Sequence, residues 1–113
     1  MTIRDYDPAA TAPSPPLAIG VLVAGAVDLM QQGYDLPQPQ ALTVSGTQSI
    51  SLLFASDETG AKAVARWAMR FGGVLTRHIH QSPQGPHLHC VVQFDYYGVR
   101  VEAYAVLPAE TAT

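Results

Sequence analysis

Apolar and polar positions alternate almost without a break from Leu88 to Tyr96 and again from Val99 to Leu107, the period of two half-buried strands. A two-residue turn at Tyr97-Gly98 sets the pairing between them. Tyr96 then faces Val99, Phe94 faces Val101, Val92 faces Ala103, Cys90 faces Ala105 and Leu88 faces Leu107 on one side of the sheet. The other side pairs Asp95 with Arg100, Gln93 with Glu102, Val91 with Tyr104 and His89 with Val106. One side belongs to a core, the other to water or a partner.

Upstream, "ALTVSGTQSISLLFAS" holds two β-prone runs around Ser45-Gly46 and predicts a hairpin over 41–45 and 49–55, with Ile50, Leu52 and Phe54 sharing a face. The period then lengthens. Val64, Trp67, Ala68 and Phe71 form a stripe at helical spacing, with Ser56 as the expected N-cap, Asp57 and Glu58 in the first turn, and Gly72-Gly73 as the stop. An earlier helix is expected over 17–32. It is apolar on every side as far as Asp28, and it ends at Gly33, a left-handed stop, ahead of Pro37 and Pro39.

The order is therefore αββαβββ. It predicts a two-layer α+β fold, with an antiparallel-rich five-stranded sheet and two helices on one face. Residues 17–108 form the single domain, residues 1–16 ("MTIRDYDPAATAPSPP") a flexible proline-rich arm, and 109–113 a tail.

Composition changes this picture in one respect. In a chain of 113 residues, 48% are hydrophobic and only 13% charged, against about 25% charged in an ordinary soluble domain. A helix apolar all round is more than one sheet and two helices can cover, which implies that the chain works as a homo-oligomer, a homodimer being the simplest case. The net charge of −3, with Lys62 the sole lysine beside five arginines, argues against a nucleic-acid partner, because such binding depends on neutralising many phosphates. One cysteine, Cys90, makes no internal disulfide and fits a reducing cytoplasm. "LAIGVLVAGAV" at 17–27 is too short to span a bilayer, which takes about 20 apolar residues. It also lacks a basic leader, since Asp5 and Asp7 outnumber Arg4, so it reads as a buried helix and no membrane partner is expected.

Candidate chemistry gathers in "RHIHQSPQGPHLHC", residues 77–90, which contains all four histidines. With 81–86 as the loop, His80 stands opposite His87 and His78 opposite His89. Imidazoles spaced like this can converge on one Zn²⁺ or Ni²⁺, and two histidines at i, i+2 with a third on the next strand are similar in spacing to the zinc ligands of carbonic anhydrases. The metal candidates are His78, His80, His87 and His89. The same alternation, with Ile79 and Leu88 between the histidines, also describes the wet face of an ordinary hairpin. The register puts Arg77 on the apolar side opposite Cys90, which requires a bulge, a later strand start or a side chain that escapes past the sheet edge.

The remaining residues offer less chemistry. Cys90 reads as a small buried hydrophobe, since His89 points the other way; Trp67 reads as core; and Lys62, Arg66 and Arg70 read as a solvated helix stripe that also suits an acidic partner. No phosphate loop, paired catalytic carboxylates or nucleophile elbow is present, so no catalytic residue is assigned.

The apolar first helix followed by "GYDLPQPQALTVS" (33–45), the helix end "ARWAMRFGG" (65–73) and the closing "YGVRVEAYAVLP" (97–108) resemble small uncharacterised proteins of high-GC actinobacteria and their phages. The resemblance spans about residues 17–108. It implies no activity, and it adds a phage or mobile-element product acting on a host protein as one partner class. The leading expectation is a small non-enzymatic interaction protein without a resident cofactor. The alternative is a Zn²⁺ or Ni²⁺ sensor or small metalloenzyme built on the two His-x-His pairs.

Overall fold

A computed structural model describes residues 18–46 and 48–109. Its elements follow the expected order: α1 (Ile19–Gln32), β1 (Ala41–Ser45), β2 (Ser49–Leu53), α2 (Glu58–Phe71), β3 (Val74–Ser82), β4 (Gly85–Tyr96) and β5 (Val99–Pro108). The strands form one mixed sheet in the order β1-β2-β5-β4-β3, antiparallel everywhere except between β2 and β5. The proline-rich arm expected for residues 1–16 lies outside the described residues, as does the tail beyond Ala109.

Every pair expected across the last hairpin is present, from Tyr96 opposite Val99 to Leu88 opposite Leu107. Tyr97 and Gly98 both take positive φ, 51° and 85°, as the tight turn requires. The inward side chains of β4 and β5 are buried, and Ile50, Leu52 and Phe54 extend the same apolar face across β2. Each valine, leucine, isoleucine or phenylalanine among them contributes about 1.5–3 kcal/mol on leaving water.

Trp67 on α2 is the centre of this core, fully buried between Phe54 and Phe71 at ring separations of 6.0 and 5.4 Å. Its indole Nε1 donates to the carbonyl of Pro37 at 2.7 Å, which ties the α1–β1 connection down onto α2. Phe71 continues the aromatic row to Phe94 at 5.0 Å and meets Tyr96 edge-on at 5.9 Å.

Several local expectations are corrected. The first helix begins at Ile19 rather than Leu17, with Ala18 as a cap that offers no side-chain acceptor. Gly33 is not left-handed, having φ −103°; its lack of a side chain matters because a Cβ there would lie 2.7 Å from Cη2 of Trp67. The cap of α2 is Asp57, whose carboxylate accepts from Gly60 N at 3.1 Å, and not Ser56; one residue further on, the side chain reaches the third helical N–H. β2 stops at Leu53, and the loop expected over 81–86 is only the turn Pro83-Gln84, because Ser82 and Gly85 still pair. Gly85 makes this turn possible with φ 116°, and the Ser82 hydroxyl donates to the Gly85 carbonyl at 2.8 Å.

The first helix is also not buried on every side. Leu22, Ala26 and Leu29 face the core, whereas Ile19, Val21, Val23 and Val27 stay about half exposed. On its α2 side, Asp28 accepts a 2.5 Å hydrogen bond from the Tyr96 hydroxyl. Burial, helped by that bond, pushes the Tyr96 phenol up to about 12. An unfolded tyrosine loses its proton near pH 10, so between about pH 10 and 12 the folded chain holds the proton that the unfolded one releases. This contribution to stability is complete below about pH 10 and is lost as pH rises through about 12. An ultraviolet tyrosinate titration is expected to show one phenolate forming only near pH 12, absent from Tyr96→Phe; a titration finished by about pH 11 would contradict the bond.

Candidate functional site

β3 and β4 pair without a bulge from Val74 opposite Gln93 to Ser82 opposite Gly85. That register sets His78 across from His89 and His80 across from His87, all on the sheet face that neither helix covers. The ring centres of His78 and His89 are 5.1 Å apart, and those of His80 and His89 are 5.3 Å apart. His89 is therefore the shared neighbour of both β3 histidines. His87 is turned toward the strand end, where its Nδ1 lies 3.2 Å from the Ser82 hydroxyl. In the positions shown, no three His, Cys, Asp or Glu side chains among the described residues are arranged to hold a metal ion.

The electrostatics follow from the crowding. Partial burial, with the other three imidazoles adding to it, pushes the His89 imidazole below the usual histidine range. The sheet neighbours of His89 are His78 on one side and Val106 on the other, with His87 and Val91 on its own strand face, so the register sets no carboxylate beside it. Asp95 is six residues along β4, roughly 20 Å away at strand rise, and sits opposite Arg100. Among the described residues, the register thus sets no acid beside the patch to relay a proton.

Arg77 shows how the register is tolerated. It stands opposite Cys90 on the helix side of the sheet, but β3 is the edge strand, at the rim of a hollow beside α2. The side chain stays in solvent along a hollow shared with Glu58 and Lys62, while Cys90 is buried. The Lys62, Arg66 and Arg70 stripe is exposed. Its last member forms a two-pronged pair with Asp35, at 3.1 and 2.8 Å, which holds the Asp35 carboxyl below its usual range.

The second candidate was not read as a site from the sequence. α1 and the edge strand β1 enclose a groove of about 540 Å³ lined by Val23, Val27, Met30, Tyr34, Leu42 and Val44, with Ala26 at its floor and Gln31 at its rim. Among the described residues, no charged side chain lines it. Its walls come from both sides of the Gly33–Gln40 connection, so the pattern of no single element shows it. The available signal was a helix apolar all round beside a strand of only five residues, Ala41–Ser45.

No family model and no curated protein matches the chain, and no solved structure matches it. Among the described residues, no helix is long and apolar enough to cross a membrane.

Proposed function

We propose that this chain is a non-enzymatic interaction protein that acts as a homodimer, with the α1–β1 groove as the contact surface. The observation that carries this reading is the uncharged, apolar lining of the groove at an open edge of the sheet. Ile19, Val23 and Val27 keep about half of their surface in water, at 54, 47 and 53%, a concentration of apolar area that monomeric domains seldom present.

A second copy is the occupant that fits. Two copies related by a two-fold axis set the same lining against itself, and because its described residues are uncharged they bring no like charges together. Tyr34 adds a large ring with a polar tip, the kind of side chain that anchors interfaces.

Light scattering coupled to size exclusion tests this directly. The chain should elute as a dimer at micromolar concentration, and Val27→Glu should make it monomeric while leaving its circular dichroism unchanged, because Val27 faces away from the core. A wild-type chain that remains monomeric at high micromolar concentration would end the proposal.

A further inference from the structure

We propose that His78, His80 and His89 form an open site for a divalent transition ion of the Zn²⁺ type on the uncovered face of the sheet, with His87 standing outside it. The inference is independent of the groove and goes beyond the dimer reading.

It rests on ring separations. Two imidazoles that share one tetrahedral ion at about 2.0–2.1 Å per bond have ring centres about 5 Å apart. The pairs His78–His89 and His80–His89 already stand at 5.1 and 5.3 Å. The two pairs share His89, whose backbone lies in the second strand from the edge with β3 on one side and β5 on the other. His78 and His80 lie on the edge strand, and both are exposed. Exposed side chains change rotamer on the picosecond to nanosecond scale, so swinging both β3 rings toward a point above His89 requires no movement of the sheet.

The polarity of the surroundings agrees. Val106 beside His89 gives the site one dry wall, and with neither helix on this face water has access to the remaining coordination position. The Ser82 hydroxyl lies 3.2 Å from His87 Nδ1, whereas the ring contacts of the cluster join His78 and His80 to His89. The ring contacts therefore centre on His89, with His78 and His80 as its two ring neighbours.

Calorimetric titration of the full, tag-free chain with ZnCl₂ after chelator treatment is the test. One ion per chain is expected. His89→Ala should weaken binding by far more than about tenfold, as loss of a direct ligand exceeds the roughly 10–100-fold cost of losing its support. His78→Ala and His80→Ala remove direct ligands as well and should each weaken it by more than about tenfold, whereas His87→Ala should leave it close to wild type. Unchanged urea midpoints for the four variants keep the comparison free of folding effects. Absence of saturable binding, a ratio of one ion to two chains, or a loss in His87→Ala equal to that in His89→Ala would each overturn the assignment.

Discussion

Trp67→Ala is expected to be the most damaging single change in the molecule, at about 3–5 kcal/mol. The indole is completely buried, so its removal opens a cavity between Phe54 and Phe71, which two rigid rings cannot close by repacking. It also orphans the Pro37 carbonyl, which accepts the Nε1–H at 2.7 Å, adding about 1–3 kcal/mol if water does not reach it. Domains of this size have about 5–15 kcal/mol in total, so the variant should be largely unfolded in low urea. Trp67→Phe separates the two contributions, since it keeps much of the volume and loses only the hydrogen bond and the second ring. A Trp67→Ala chain with a urea midpoint close to wild type would mean that the aromatic row does not hold the helices to the sheet.

Gly60→Ala comes next, and its sign runs against helix propensity. Alanine in place of a helical glycine ordinarily stabilises by about 1 kcal/mol. Here the new Cβ would sit 1.7 Å from the carbonyl oxygen of Ala55 and 2.6 Å from its carbon, both backbone atoms. The start of α2 must therefore lift away, and the Asp57 cap onto Gly60 N at 3.1 Å is lost with it. Overpacking and the lost cap together cost about 2–5 kcal/mol. Gly25→Ala is the internal comparison, because nothing lies within 4 Å of its would-be Cβ. Denaturant melts should move in opposite directions for the two variants, and a stabilising Gly60→Ala would show that α2 does not begin against Ala55.

The parts of this architecture that were readable in the sequence are those in which two local signals constrain each other. Alternation from Leu88 to Leu107 and the turn at Tyr97-Gly98 admit one register, and every expected pair is found. The same logic carried His78 to His89 and His80 to His87. The capping residue of α2 was misread because Ser56 and Asp57 are both good acceptors, and only the close approach of Gly60 to Ala55 decides between them. Pro83, Gly85 and Pro86 together predict a loop over 81–86. Pro86 nevertheless pairs opposite Gln81 as the second residue of β4, one position before the pairing with β5 begins at His87, where the strand tolerates a missing N–H.

Other features have no local signature. The parallel contact of β2 with β5 joins segments about fifty residues apart, as in Ile50 opposite Val101, and no periodicity encodes strand order. The apolar sides of α1 announced burial without saying against what, so the helix read as core although half of it borders the open groove. In the histidine patch the sequence placed four Cβ atoms on one face, but which rings turn toward each other depends on side-chain torsions. Only the structure shows that His78 and His80 meet His89 while the Ser82 hydroxyl lies against His87 Nδ1.

The central position of β5 also bears on how the chain becomes a sheet. The strand synthesised last of the five is inserted between β2 and β4 and supplies the parallel joint to one and the antiparallel joint to the other. Until it leaves the ribosome, β1–β2 and β3–β4 are two isolated ribbons, and neither is stable alone in water. The buried faces of Val101, Ala103 and Ala105 then close both halves in one event. Closure of this sheet is thus deferred until β5 has been made, and a nascent chain halted before Val99 exposes both apolar halves to chaperones and proteases at once.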